Sequence, residues 1–222
     1  MAADYIYRAD RCLKEAEIAI SESDFAGAVR RSQESLELAV KAVLEKGWVL
    51  ETEDGEGTVE CDEIGIRVDE PLAEPMASPR SRFQQRFLEK YAHDLIHGTP
   101  AEFEYDYHGR LFDWGGGLSL GGREVHTDQV DYIARKLAAQ PASRRGIAIT
   151  WIPPVDESLD NCPCLQLVQC LVRDGSLHMK VVFRSNDMLS AAGPNMFALV
   201  HLQEGNLEEA MTVLKDILAA GG

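Results

Sequence analysis

Hydrophobic positions recur at steps of three and four through the first part of the chain, and the period then changes. Residues 3–20 and 25–46 read as two helices. In the second, Val29, Ser32, Leu36, Ala39 or Val40, and Val43 form one stripe, the pattern of a helix that buries a single face. Ser23 or Asp24 would cap its start, and Gly47 would end it. Two such helices joined by a short turn form a hairpin whose stripe must bury against something else.

From about residue 51 the texture differs. "EDGEGTVECDEIGIRVDEP" alternates and is punctuated by Gly and Pro, which predicts a turn and strands. "RFQQRFLEKYAHDLIHG" returns to helical spacing and stops at Gly98. "AEFEYDYHGRLFDW" reads as aromatic-rich strand and loop, and "GGGLSLGG" (115–122) as a flexible loop. That glycine run lacks the strand–turn–helix context and the lysine of a phosphate-binding P-loop. A helix is predicted from a cap at Asp128 through Val130, Ile133, Ala134 and Leu137, stopping before Pro141. "GIAITWIP" is a short buried strand. "LQLVQCLVRDGSLHMKVVFRS" is two strands joined at Asp174-Gly175, a strong hairpin signal. Residues 195–203 and 206–219 read as helical. Helices alternating with sheet segments indicate an α+β domain.

Composition narrows the class. With 222 residues, 45% hydrophobic and 27% charged, the chain suits one main soluble domain with a small appendage. No stretch approaches the roughly 20 apolar residues of a membrane span, and "MAADYIYRADRCLKEAEIAI" carries charges throughout, unlike a secretory signal. Five scattered cysteines (12, 61, 162, 164, 170) favour a reducing cytoplasm over a disulfide framework. The net charge of −15 argues against a nucleic-acid-binding face. Ten acids between Glu51 and Glu74 face a single base, Arg67. Most of them read as a solvated acidic face.

The chemistry concentrates around "DNCPCLQ" (160–166). Alone, Cys164 would be a buried inert thiol. Cys162-x-Cys164 would be half a zinc site, but no second ligand pair stands in the chain and His178 is isolated, so no metal is expected. Spacing alters that reading. Pro163-Cys164 is followed twenty residues on by Arg184-Ser185, then Asp187, then Asn195, and preceded twenty residues upstream by Ser143-Arg144-Arg145.

In "SRRGIAITW", "PCLQLVQCLVRDGSL", "FRSNDMLSAAGPN" and "ALVHL", and more loosely in "YHGRLFDW", the chain resembles thymidylate synthase over about 51–203, most of all the short archaeal members. The resemblance implies a thymidylate-synthase-like mixed sheet with packed helices. It implies conversion of dUMP to dTMP by reductive methylation with 5,10-methylenetetrahydrofolate as co-substrate. Methylating uracil carbon 5 requires that carbon to become nucleophilic, which a thiolate achieves by adding to carbon 6. Only the thiolate is effective, and a positive neighbour favours it. The family pattern makes Cys164 the nucleophile with Arg184 beside it, and Tyr107 a residue ordering water for removal of the carbon 5 proton. Arg144 and Arg145 would reach phosphate from the partner subunit of a homodimer, joined by Arg184 and Ser185. Asn195 would read the pyrimidine and Asp187 would contact folate. Hydroxymethylases acting on cytosine nucleotides carry Asp at the position of Asn195, so Asn favours uracil. A deoxypyrimidine-nucleotide hydroxymethylase and a catalytically impaired nucleotide-binding protein are the alternatives.

Three departures accompany the match. Family members place a phosphate-gripping arginine before a Gly-x-Gly-Thr turn, whereas here "GEGT" (55–58) follows Glu53 and Asp54, and a carboxylate repels a phosphate. Leu165 follows the nucleophile where many members have His. A His-x-Tyr pair for the sugar hydroxyl does not occur after residue 203, where "EGNLEEAMTVLKDILAAGG" runs instead. Upstream, "DFAGAVRRSQESLELAVKAVL" resembles the HEPN family of helical domains. No histidine follows Arg30 and Arg31 before His93, so nuclease activity is not expected. The organisation expected is a helical hairpin at 1–49, the synthase-like domain at 50–203 and a C-terminal helix at 204–222.

Overall fold

A computed structural model describes residues 31–53, 55, 57–68, 71–72, 83–100 and 106–220. The helix expected over 3–20 lies outside the described residues. The described residues fall into two compact units, one drawn from Met1–Arg82 with Met188–Gly193 and the other from Phe83–Asp187 with Pro194–Gly222.

In the first unit, α1 (Arg31–Lys46) is the later part of the second expected helix. It ends where Gly47 donates its N–H to the Val43 carbonyl at 2.8 Å. A side chain at Gly47 would collide with the carbonyls of Val43 and Glu60, so glycine is required by close approach of the next strand. That strand, β1 (Trp48–Glu51), pairs antiparallel with β2 (Gly57–Glu60), Trp48 opposite Glu60 and Glu51 opposite Gly57. Among the described residues past Glu60 in this segment there is no further strand.

The second unit carries the core. Helix α2 (Gln85–His97) buries Leu88, Ala92 and Leu95, one face at helical spacing. Gly98, at φ 82, terminates it and donates to the Asp94 carbonyl at 2.9 Å. The stretch expected as strand and loop contains instead a short helix, α3 (Tyr107–Phe112). Its aromatics favour a strand locally, but Asp106 caps the first turn by accepting from the Gly109 N–H at 2.6 Å, and the helix buries Arg110 and Leu111. The expected flexible loop holds a tight hairpin, β3 (Ser119–Leu120) with β4 (Arg123–Glu124). Gly121 and Gly122 lie at φ 59 and 78, the pair of positive angles that closes a two-residue turn.

Helix α4 (Gln129–Ala139) starts at the expected cap, the Asp128 carboxylate accepting from the Asp131 N–H at 2.8 Å. Strand β5 (Gly146–Ile149) is half-buried, with Gly146 and Ala148 inward and Ile147 and Ile149 outward. It is followed by the single-turn α5 (Pro153–Asp156). Strands β6 (Leu165–Arg173) and β7 (Ser176–Phe183) form the expected hairpin, turning at Asp174 (φ 52) and Gly175 (φ 74). The sheet order is β5-β6-β7, all antiparallel. Its inner face presents Ala148, Val168 and Cys170, and the core also holds Val130, Ile133 and Leu137 of α4. The two helical runs expected after residue 195 are one helix, α6 (Ala192–Ala220), which continues through Gly205. A glycine inside a helix costs only about 1 kcal/mol.

Two polar arrangements fix the frame. Gln129 acts as a substitute strand: its side-chain amide donates to the carbonyls of Arg110 (2.9 Å) and Ile149 (2.7 Å) and accepts from the Ile149 N–H at 3.0 Å. Arg110 of α3 makes a buried two-pronged ion pair with Asp156 of α5, at 2.6 and 3.1 Å.

Candidate active site

Cys164 stands immediately before β6 and Arg184 immediately after β7, so pairing of Leu165 with Phe183 sets the two side by side. The Arg184 backbone N–H donates to the Cys164 carbonyl at 2.8 Å, extending the ladder by one residue. A register shift between Leu165 and Leu167 re-aims the strand end, a recurrent use of bulges.

In the segment bearing the thiol, every carbonyl from Cys162 to Leu165 is held, as is the Leu165 N–H. The Arg184 guanidinium donates to the carbonyls of Cys162 (2.9 Å) and Pro163 (3.1 Å). Gln166 donates its amide to the Pro163 carbonyl at 2.6 Å, and the buried Thr150 hydroxyl donates to the Leu165 carbonyl. The Leu165 N–H donates to the Tyr107 hydroxyl at 3.2 Å. Cys164 itself is a half-buried free thiol. The neighbouring arginine therefore organises the thiol loop by fastening two preceding carbonyls.

Asn195 lies in the first turns of α6 and is only 5% exposed. Its Oδ1 accepts from the Tyr91 hydroxyl at 2.7 Å, and its Nδ2 donates to Asn186 Oδ1 at 3.1 Å. Burial pushes the Tyr91 phenol up to about 12, with Tyr107 and Cys164 adding smaller upward contributions. Tyr91 thus stays protonated through neutral pH, in the electrostatic neighbourhood of both the thiol and Tyr107. Sequence reading passed over Tyr91 and Asn186. Tyr91 falls in the "FLEKYAHDL" stretch of an amphipathic helix and reads as a core aromatic, while Asn186 is enclosed in "FRSNDM" as a turn polar.

Ser185 and Asp187 are exposed on the loop after β7, beside Arg184. Arg144 and Arg145 are exposed at the start of β5, their backbone fixed by Gln169 donating to the Arg144 carbonyl (3.0 Å) and Tyr132 to that of Arg145 (3.1 Å). Neither guanidinium is ion-paired with a carboxylate among the described residues. Gly146 pairs with Cys170, six residues along β6 from Cys164, which is roughly 20 Å at about 3.3 Å per residue. The chain's own Arg144 and Arg145 are therefore remote from its own thiol. Glu53 is exposed in the turn between β1 and β2.

Among the described residues no group of three or more His, Cys, Asp or Glu side chains is placed to hold a metal ion. No described helix is long and apolar enough to cross a membrane.

This site lies in a segment with known relatives. The thymidylate synthase family model matches residues 83–205, more than half of the chain, and the HEPN domain model matches residues 2–52. A Methanocaldococcus jannaschii protein named "Putative thymidylate synthase" is 36% identical over 170 residues, 74% of this chain and 73% of that one. A Methanosarcina barkeri protein of the same name is 42% identical over 115 residues, 51% of this chain and 49% of its own. The chain thus spans about half the length of that second relative. Among solved structures, the thermostable thymidylate synthase A from Bacillus subtilis is 34% identical, covers 47% of this chain and 36% of that one, and superposes with a TM-score of 0.38. The chain belongs to the thymidylate synthase family.

Proposed function

We propose that the chain methylates dUMP to dTMP, acting as a cytoplasmic homodimer with 5,10-methylenetetrahydrofolate as co-substrate. The observation that carries this reading is that Arg184 fastens the loop of the half-buried Cys164 thiol, while Tyr91, the partner of the buried Asn195 amide, lies close enough to that thiol to feel its charge. Family membership and the order of these residues support it.

In this reading the Cys164 sulfur adds to uracil carbon 6. The carbon 5–carbon 6 π pair moves onto carbon 5 and the carbon 4 oxygen as an enolate. Asn195 retains one Nδ2 hydrogen and one Oδ1 lone pair beyond its two observed bonds. Those remaining positions match the carbon 4 oxygen and the ring N3–H of uracil. Donation to the developing enolate oxygen stabilises the charge that forms in the addition. Tyr107, tethered to Leu165 beside the nucleophile, would order the water that accepts the carbon 5 proton. The folate supplies the one-carbon unit and the hydride. Asp187, exposed on the loop after Arg184, offers the acceptor oxygens that match a pterin's N–H donors, and is the residue proposed to hold it.

Phosphate would be bound by Arg184 and Ser185, with Arg144 and Arg145 of the other subunit. The roughly 20 Å between each chain's own arginine pair and its thiol favours delivery from a second copy. A non-catalytic nucleotide-binding protein is the second reading, favoured by Glu53 and Asp54 standing in the sequence where family members carry a phosphate-gripping arginine. A hydroxymethylase is disfavoured by Asn195 in place of Asp.

Denaturing mass spectrometry of the protein incubated with 5-fluoro-dUMP and methylenetetrahydrofolate tests the proposal. An adduct of both masses, absent in Cys164→Ala, is expected. No adduct in the parent chain, or one that survives Cys164→Ala, overturns it. Adduct formation without dTMP production from dUMP selects the second reading.

A further inference from the structure

Asn195 can read a pyrimidine only if its amide faces one way, because turning it end for end exchanges donor and acceptor. Uracil offers an acceptor at carbon 4 and a donor at N3. Cytosine offers the reverse. A freely turning amide would therefore serve both bases about equally, so something must hold it.

Two neighbours do so from opposite ends. The Tyr91 hydroxyl donates to Oδ1 at 2.7 Å, and Asn186 Oδ1 accepts from Nδ2 at 3.1 Å. Tyr91 comes from α2, Asn186 from the loop after β7 and Asn195 from α6. The clamp is thus assembled from three separate elements. Among the described residues, Oδ1 of Asn195 is the hydrogen-bond acceptor that Tyr91 reaches. Turning the amide would set its Oδ1 against Asn186 Oδ1 and take away the acceptor of the Tyr91 O–H, in a site where Asn195 is only 5% exposed. Burial also keeps the phenol protonated well past neutral pH, so it remains a donor wherever the chain works. The phenyl body of Tyr91 is supported by stacking on Phe87, with ring centroids 6.3 Å apart, which fixes where the hydroxyl points.

We propose that Tyr91 is a specificity-determining positioning residue: together with Asn186 it locks the Asn195 amide in the orientation that accepts uracil and rejects cytosine. This rests on the nucleotide reading above and names the residue that sets its base preference. Tyr91 acts through Asn195 and is not itself a catalytic residue.

The experiment compares dUMP with dCMP as competitors of 5-fluoro-dUMP adduct formation in the intact protein. Tyr91→Phe keeps the ring and removes the donor. It should lower the preference for dUMP over dCMP by about tenfold, the scale of one misplaced buried hydrogen bond. Asn186→Ala, a loop substitution that leaves α2 untouched, should lower the same ratio and provides the test should Tyr91→Phe fold poorly. In an Asn195→Ala background neither change should alter the ratio further, because both act through that amide. A merely structural role for Tyr91 would reduce affinity for both nucleotides and leave their ratio in place. An adduct in the parent with an unchanged ratio in both single variants overturns the clamp alone. Absence of any adduct in the parent overturns the nucleotide reading and the clamp with it.

Discussion

The backbone N–H of Arg184 donates to the carbonyl oxygen of Cys164 at 2.8 Å, so the end of one strand holds the thiol-bearing residue on the next by its main chain. The guanidinium of the same arginine fastens the carbonyls of Cys162 and Pro163. One side chain therefore fixes the segment that must present the sulfur at a defined angle. Positioning of a nucleophile accounts for a large part of many rate enhancements.

Replacing Arg184 should consequently cost more in chemistry than in stability. Its side chain is exposed, so Arg184→Ala should lower unfolding free energy by only about 1–2 kcal/mol. Adduct formation should slow by about 100-fold or more as the loop loses its tether. Arg184→Lys should not rescue it, because a lone ammonium lacks the forked donors that span two carbonyls. Urea titration alongside the rate of 5-fluoro-dUMP adduct formation reads both effects. Equal losses in the two would show that the arginine merely supports the fold.

The opposite balance is expected at Arg110 and Asp156. The pair is buried, with Asp156 also accepting from the Ile152 N–H at 2.6 Å and Arg110 donating to the Thr150 carbonyl at 3.3 Å. Removing one partner strands a charge in the interior, at about 3–5 kcal/mol. Asp156→Asn or Arg110→Met alone should therefore lower the thermal midpoint sharply. The double change Arg110→Met with Asp156→Leu should recover much of the loss, since two apolar groups leave no charge unmet. A double variant no more stable than the singles would refute that account.

Much of this architecture is readable from residue types. The Asp174-Gly175 turn, the Asp128 cap and the Gly98 stop are local signals whose physics does not depend on the rest of the molecule, and each stands where the pattern places it. The order Cys164, Arg184, Asp187, Asn195 points to one strand hairpin and the helix after it. Failures arise where distant contacts decide. The aromatic string at 107–112 becomes a helix because Arg110 finds Asp156 forty-six residues on. Tyr91 joins Asn195 across 104 residues, and nothing in a helical stripe distinguishes an aromatic that packs from one that donates a hydrogen bond. The helix α6 runs through Gly205 because one glycine costs a helix only about 1 kcal/mol and is a weak stop on its own.

Alkaline pH should expose the buried thiol of Cys170. It is fully buried, and burial alone pushes it up to about 12. Unfolded thiols ionise near about 8.5 and phenols near about 10. Above the first of these values the unfolded chain gives up a proton that the folded chain keeps, so stability falls as pH rises. The loss should start near pH 8.5 and continue toward 12, at up to about 1.4 kcal/mol per pH unit for that group. The raised phenol of Tyr91 adds a second loss above about pH 10. Urea titrations at pH 8, 9.5 and 10.5 should show Cys170→Ala losing less stability across the interval than the parent. Parallel decline in both would place the alkaline sensitivity elsewhere.

The outer face of the three-stranded sheet bears on assembly. Ile149 of β5 and Val182 of β7 flank Leu167 in one row, and Ile147 leads the next. Leu167 is half-buried between them, while Val182 (52%), Ile149 (41%) and Ile147 are exposed, and an apolar strand row open to water marks an interaction surface. With Arg144 and Arg145 exposed at the start of β5 and roughly 20 Å from their own thiol, the proposed homodimer would use a two-fold partner packed on this face to carry its arginines toward the other site. Ile149→Lys with Val182→Glu should therefore convert a sedimenting dimer to monomer and suppress adduct formation together. Mixing separately inactive Arg145→Ala and Cys164→Ala proteins, then allowing subunits to exchange, should restore activity to about a quarter of the parent, because half the dimers would contain one intact composite site. Activity that does not return on mixing, while exchange is verified by mass spectrometry, would place both groups in a single subunit and remove the partner's arginines from the mechanism.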